Sequence, residues 1–303
     1  MLGWELFDRY EGRRVQEPIY GEKWLRWAYE KKLGRLTTQA LASRAFFSRW
    51  YGRKMGKPSS AKLIEGFVKE FGIDMSEARK AVDEFTSFND FFTRQLKPEV
   101  RPLPISPDTI AFPADGRHRL VPDLKKPSKV WAKNEPFTLA TLMGPLTFGG
   151  GRDLLKGDAV ISRLAPIDYH RFHFPWSGKI VAQATLEGPL YSVHPIALKH
   201  NIRYLLSNKR TVTVMEDPRL GTWAMIEIGA TNVGSINQTA AEGVAAKIGD
   251  EKGYFAFGGS CVVTVFPHKA VEFSEDLKAA SADGIELYGK MGDVMGYLQT
   301  PTI

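Results

Sequence analysis

A single cysteine, Cys261, is present in the chain, so no intramolecular disulfide can form. There is no apolar run of about 18 residues, the length a helix needs to cross a bilayer, and no recognisable signal peptide. Nothing therefore marks a secreted or membrane-spanning protein, and the expected compartment is the cytoplasm. No repeat with a period of roughly 20–50 residues and no low-complexity stretch stands out, which argues against solenoid and disordered classes. What is present is apolar material: with 43% hydrophobic and 12% aromatic residues, 303 residues can bury one large core, or a core with an appended module.

Acidic residues are scarce between Glu22 and Lys54. Only Glu22 and Glu30 stand against Lys23, Arg26, Lys31, Lys32, Arg35, Arg44, Arg49, Arg53 and Lys54. Interleaved with these are Trp24, Leu25, Trp27, Tyr29, Leu33, Leu36, Leu41, Phe46, Phe47, Trp50 and Tyr51, at spacings that suit amphipathic helices. Basic residues beside tryptophans suit an interfacial helix on an anionic membrane, because the rings sit at headgroup depth while Lys and Arg meet the lipid charge. A helical subdomain with its aromatics on the core and a solvated basic face accounts for the same pattern, and both readings stand. A basic surface also raises nucleic acid, but no nucleic-acid motif accompanies it and none is expected as a partner.

From Met1 to about Pro98 the patterns are mostly helical, and Ser87 offers an N-cap ahead of Phe88-Asn89-Asp90-Phe91-Phe92. Pro98, Pro102, Pro104 and Pro107 then mark an extended connector. From Thr109 onward, runs such as Ala159-Val160-Ile161, Lys179-Ile180-Val181, Thr211-Val212-Thr213-Val214 and Ala224-Met225-Ile226-Glu227-Ile228 alternate with Gly, Pro and Asp turns. The expectation is an α+β protein: a helical N-terminal, membrane-associating region over residues 1–98, then a largely antiparallel β core over 99–303.

Within that core, Gly258, Gly259 and Ser260 interrupt what would otherwise be one strand from Tyr254 to Phe266. Between two strand-like runs the glycine pair reads first as a tight hairpin turn. The missing side chains also leave the Gly259 carbonyl open to close approach by a hydroxyl, which suits a serine attacking its own preceding peptide bond. A serine nucleophile needs a base, and a histidine becomes an effective base when a carboxylate fixes its tautomer and supports the imidazolium. Asp115, at a turn in Phe112-Pro113-Ala114-Asp115-Gly116, and His170 and His173, in Asp168-Tyr169-His170-Arg171-Phe172-His173-Phe174-Pro175, can supply those parts. The same aspartate reads as a turn former and the histidines as hydrogen-bonded core residues. Asp115, His170 and His173 together also resemble a zinc ligand set, as in a zinc hydrolase.

Taken in order, Ser87-Phe88-Asn89-Asp90-Phe91-Phe92, Pro113-Ala114-Asp115-Gly116, Asp168-Tyr169-His170-Arg171-Phe172-His173, Tyr191-Ser192-Val193-His194-Pro195, Gly229-Ala230-Thr231-Asn232-Val233-Gly234-Ser235-Ile236 and Phe257-Gly258-Gly259-Ser260 resemble the phosphatidylserine decarboxylase family. The resemblance implies a self-cleaving proenzyme whose cofactor is a covalent pyruvoyl group derived from Ser260. His173, oriented by Asp115, would take the proton from Ser260, whose oxygen attacks the Gly259 carbonyl. Elimination and hydrolysis would then part Gly259 from a pyruvoyl-capped fragment. His170 would serve proton transfer in decarboxylation, and Asp168 could support either ring. The reaction implied is conversion of phosphatidylserine to phosphatidylethanolamine through a pyruvoyl Schiff base, with no metal.

By the same resemblance the partners are phosphatidylserine in an anionic membrane and the two cleavage fragments, which stay associated, with homodimerisation left open. The expected location is peripheral, on the cytoplasmic side of a membrane. Cys261 departs from the family's common threonine, which puts the cleavage rate in doubt. Its neighbouring valines suggest a buried, inert thiol rather than a nucleophile. The competing readings are a pyruvoyl-dependent decarboxylase of a soluble amino acid, the zinc hydrolase, and a lipid-binding protein that never matures.

Overall fold

The turn-punctuated, β-branched texture after Thr109 becomes sheet. A computed structural model describes residues 4–17, 19, 21–31, 33–34, 37–38, 45–104 (backbone only for 45–49), 106–124, 139–144, 154–230 and 235–299. The strands are β1 (Trp4–Asp8), β2 (Arg13–Glu17), β3 (Thr109–Ala111), β4 (Gly116–Val121), β5 (Asp158–Leu164), β6 (Arg171–His173), β7 (Gly178–Leu186) and β8 (Arg210–Asp217). They continue with β9 (Gly221–Gly229), β10 (Ile236–Gln238), β11 (Ala245–Ala246), β12 (Glu251–Phe255), β13 (Ser260–Phe266), β14 (Val271–Phe273), β15 (Glu286–Gly289) and β16 (Val294–Leu298). Helices α1 (Glu22–Glu30), α2 (Ala45–Met55), α3 (Ile64–Phe71) and α4 (Phe88–Phe92) precede β3. Helices α5 (Leu139–Met143), α6 (Pro195–Leu198), α7 (Arg203–Ser207) and α8 (Glu275–Ala282) lie between later strands.

Ten strands form one sheet in the order β11-β7-β8-β9-β13-β5-β4-β15-β1-β2, and two three-stranded sheets, β10-β12-β6 and β14-β16-β3, accompany it. All described pairings are antiparallel except β1 with β15. Side chains alternate across a strand, and the core divides accordingly. Cys261, Val263 and Val265 of β13 join a cluster with residues of α1, α5, α6 and α7, while Val262 and Phe266 join Phe172 of β6, Phe255 of β12 and Leu277 of α8. Ser260 shares the parity of Val262, so its hydroxyl points toward the face that carries β6 and β12. A third cluster gathers Met55, Ile64, Phe67, Phe85, Phe88, Phe91 and Phe92 of the helical part around Phe257.

The mixed α+β class and antiparallel core agree with the sequence reading, and so does α4, whose N-cap Ser87 accepts from the Asp90 amide at 3.2 Å. Two local expectations do not. The N-terminal part is not helical throughout, because β1 and β2 extend the large sheet; only Leu6 is buried along β1, so apolar alternation gives little sign of a strand. The Gly258-Gly259 pair is not a tight hairpin, because β12 pairs with β10 and β6 whereas β13 pairs with β5 and β9. The glycines instead carry the chain from one sheet to another. Of the basic aromatic stretch, Lys32, Arg35, Leu36, Leu41 and Arg44, and the side chains of Phe46, Phe47 and Arg49, lie outside the described residues, as do Thr231-Asn232-Val233-Gly234.

Candidate active site

Ser260 opens β13, paired with Leu164 of β5 on one side and Gly229 of β9 on the other, and is wholly buried. Its Oγ lies 3.3 Å from Nδ1 of His170. The other ring nitrogen, Nε2, lies 2.9 Å from the carbonyl oxygen of Ala165. A carbonyl only accepts, so Nε2 carries the hydrogen. Burial pushes the His170 pKa down to about 3, which keeps the ring neutral and leaves Nδ1 a bare lone pair facing the serine hydroxyl. Phe92 stacks on the ring at a centroid distance of 3.9 Å and an angle of 24°, which sets its plane. A backbone carbonyl thus fixes the tautomer that a carboxylate fixes in other serine–histidine pairs.

Asp168 supports that carbonyl indirectly. Its Oδ2 accepts from the Ala165 amide at 2.6 Å and pairs with the Arg117 guanidinium, closing the turn that presents the Ala165 oxygen to His170. Burial raises the Asp168 pKa against the opposing pull of Arg117. Beyond Arg117 the charges continue inward. Glu17 of β2 lies 2.9 Å from Arg117 Nε and accepts from Arg163 Nη2 at 2.8 Å, and Arg163 also reaches Glu286 at 2.6 Å. Burial alone would raise the Glu17 pKa, but Arg163 and Arg117 outweigh it and hold the carboxyl well below the usual range.

His173 has a different set of hydrogen-bond partners. Its Nδ1 is 3.0 Å from the Gly249 carbonyl oxygen and so carries the hydrogen, while its Nε2 is 3.3 Å from the Tyr169 hydroxyl. Asp115 accepts from Arg101 at 3.0 and 2.5 Å and from the Met291 amide at 2.8 Å. Among the described residues, His173 makes no hydrogen bond to Asp115 or Ser260, so the expected Asp115–His173–Ser260 relay is not the arrangement found. The reason is periodicity. Side chains three apart on an extended segment point to opposite faces, and His170 is the one turned toward Ser260. Nor do Asp115, His170 and His173 converge as a ligand set; among the described residues no group of three His, Cys, Asp or Glu is placed to hold a metal ion.

The Gly259–Ser260 junction borders a cavity of about 430 Å³ whose walls include Gly258, Gly259, Ala165, Ser192, His194, Glu17 and Arg163, with Trp24, Leu25 and Tyr51 of the N-terminal helices beside them. Gly258 sits at φ +138°, a region that favours glycine. At Gly259 an added Cβ would meet only the Ala230 side chain, at 4.0 Å, so the carbonyl is unobstructed on that side. A second cavity of about 460 Å³ is lined by His173, Tyr169, Arg101 and Glu251. Cys261 is buried and burial raises its thiol pKa, as expected of an inert thiol.

Several participants escaped the sequence reading. Arg163 and Glu17 meet only through long-range pairing, although a charge inside the apolar run Ala159-Val160-Ile161-Ser162-Arg163-Leu164 is itself a signal of a buried partner. Asn89 and Phe92 lay inside a motif already singled out, without a role assigned to them.

The family model described as phosphatidylserine decarboxylase matches residues 88–293. A phosphatidylserine decarboxylase proenzyme of Chlamydia pneumoniae is 40% identical over 303 residues, covering 99% of each chain. That of Fusobacterium nucleatum is 39% identical over 296 residues, covering 96% of this chain and 97% of its own, and that of Chlamydia muridarum is 40% identical over 95% of both. Matching motifs, near-complete coverage and a serine–histidine pair at a diglycine junction converge on one conclusion: the chain belongs to the phosphatidylserine decarboxylase family.

Proposed function

We propose that this chain cleaves itself between Gly259 and Ser260 and then decarboxylates phosphatidylserine to phosphatidylethanolamine. The observation that carries the reading is the Ser260 hydroxyl facing the unprotonated Nδ1 of His170, beside a cavity that adjoins Gly259. His170 takes the hydroxyl proton as Oγ adds to the Gly259 carbonyl carbon. The C–N bond then breaks, that proton passes to the Ser260 nitrogen, and Gly259 is left as an ester of the serine oxygen. Loss of the Ser260 α-proton with departure of the Gly259 carboxylate severs the chain, and water replaces the nitrogen, which leaves as ammonia.

The surroundings fit a pyruvoyl group at position 260. The residue is buried, its neighbour Gly259 has no side chain, and the adjoining cavity is large enough for a headgroup. That group supplies a ketone that condenses with the substrate's serine amine and takes up the electrons released as carbon dioxide leaves. His170, next to position 260, is the residue placed to take up, on Nδ1, a proton released by the substrate's ammonium as it condenses and to return it to the carbon that loses the carboxylate. Asp168 and Ala165 keep its tautomer. The fragments 1–259 and 260–303 stay together in this reading because β13 is held between β5 and β9.

The cavity's rim supports a lipid substrate in place of a free amino acid. Trp24, on that rim, is 50% exposed; Trp27 on the same helix is 43% and Trp50 on α2 50% exposed, with Lys23, Lys31, Arg53 and Lys54 close in sequence. Exposed indoles and lysines suit the headgroup layer of an anionic membrane, and no described helix is long and apolar enough to cross it. The attachment in this reading is peripheral, on the cytoplasmic side.

Intact-mass measurement of wild-type and Ser260→Ala protein, with carbon dioxide release from phosphatidylserine liposomes and from free serine, tests the proposal. Two fragments from the wild type, one chain from the variant and activity on liposomes alone are expected. A full-length wild type that still decarboxylates would overturn it, and activity on the free amino acid would redirect it to a soluble substrate.

A further inference from the structure

We infer that Asn89 is a positioning residue for self-cleavage: its side-chain oxygen holds the peptide entering the scissile bond in register with Ser260. The inference rests on the reading that Gly259–Ser260 is the bond cut. On the downstream side, Ser260 is fixed by two strand ladders. Upstream, the Phe255 amide donates to the His170 carbonyl at 3.0 Å, and the Ala256 amide to Ser235 at 3.3 Å. The next amide, that of Phe257, donates to the side chain of Asn89, at 2.9 Å. After it come two glycines with no side chains to fix their course, so the position of the Gly259 carbonyl depends on how firmly Phe257 is held.

Asn89 does not act alone. The Phe257 ring packs against Phe88 at 5.2 Å, Phe92 at 4.8 Å and Tyr51 at 5.6 Å between centroids. Phe92 is also the ring that stacks on His170. One short helix, α4, therefore touches both reacting partners: Asn89 fixes the acyl side of the scissile bond and Phe92 fixes the base. The helix is itself pinned, since the Phe88 amide donates to Ser60 Oγ at 2.9 Å and Ser87 caps the first turn. Intramolecular attack is sensitive to such placement; a displacement of about 1 Å can cost on the order of 100-fold in rate. The diglycine lies between Phe257 and the Gly259 carbonyl, and among the described residues the Phe257 amide is the last hydrogen-bonded one before that carbonyl.

The test is a cell-free synthesis time course of the full chain, reading uncleaved protein against the two fragments, for wild type, Ser260→Ala, Asn89→Ala and Asn89→Asp. Asn89→Ala should cleave at least about 10-fold more slowly. Asn89→Asp, which keeps an acceptor oxygen in place, should cleave close to the wild-type rate. Hydroxylamine, which cuts an ester but not an amide, should release no fragments from Asn89→Ala, because the defect precedes ester formation. An Asn89→Ala chain that keeps pace with the wild type overturns the inference alone. Equal slowing in the Ala and Asp variants, with equal loss of melting temperature, also overturns it, because a general structural role is not rescued by the acceptor. A wild type that never cleaves overturns the self-cleavage reading and this inference with it.

Discussion

Replacing His170 should stop maturation, whereas replacing His173 should not. The two rings have separate hydrogen-bond systems, and of the two only His170 reaches Ser260, at 3.3 Å from its Oγ. Its tautomer is fixed by the Ala165 carbonyl and its charge state by burial, so the lone pair facing the hydroxyl is present throughout the neutral range. A general base of this kind is typically worth roughly 10²–10⁴-fold, and His170→Ala should slow appearance of the 260–303 fragment by that factor. His173→Ala loses instead its bonds to Gly249 and Tyr169. Such losses cost about 1–3 kcal/mol of stability and should leave cleavage within a few-fold of wild type. Pulse-labelled expression followed on gels, with melting temperatures as the control for folding, reads both effects. Maturation of His170→Ala at the wild-type rate, beside a His173→Ala chain that stays intact, would refute the geometric reasoning and restore the relay through Asp115.

A flat pH profile follows from the same ring. The His170 pKa is lowered in the folded chain, to about 3 from an unfolded value near 6.5, so cleavage rates measured between about pH 5 and 8 should show no acid limb near 6.5. The sign for stability is that the unfolded ring binds a proton first, so this residue's contribution is lost as pH falls below about 6.5, by about 2 kcal/mol at pH 5; urea titrations at both pH values check it. Arg163→Met leaves Glu286 and one side of Glu17 without the guanidinium that compensates them, and should lower unfolding free energy by about 3–5 kcal/mol in urea melts. At the membrane, Trp24→Ala with Trp27→Ala should weaken sedimentation with anionic liposomes while leaving self-cleavage intact. Salt should reduce but not abolish wild-type binding, since each nearby Lys or Arg contributes about 1 kcal/mol that salt screens and the indoles do not depend on it; equal, negligible binding to neutral and anionic liposomes would count against this surface.

Much of the fold was legible because local pattern and burial coincide. The β-branched runs at 159–161, 179–181, 211–214 and 224–228 all lie in strands of the large sheet, and Ser87 caps the helix expected after it. What escaped depends on partners far away in sequence. Strand β1 is held by a parallel pairing with β15, some 280 residues on, and alternation with one buried side chain cannot announce that. Tyr254 to Phe266 reads as a hairpin because each half alternates, but alternation specifies a strand's faces and leaves its neighbours undetermined. Here the two halves have no neighbour in common.

The site shows the same division more sharply. Ser260, the glycines before it and the two histidines stand out by composition, yet which histidine serves the serine turns on a parity that was available in the spacing. Residues 170 and 173 on an extended segment face opposite ways, so a single nucleophile can meet only one of them. What spacing could not supply is the face toward which β13 directs Ser260. That follows from Val262 and Phe266 packing with Phe172 and Phe255, which turns the hydroxyl toward His170 and leaves His173 with Gly249 and Tyr169. The aspartate completing the expected relay is occupied for an equally local reason: Arg101 approaches it with two nitrogens, and a carboxylate bound on both oxygens by a guanidinium has little left to offer a histidine. The orienting acceptor is then the Ala165 carbonyl, a group every residue carries and no side-chain motif can flag.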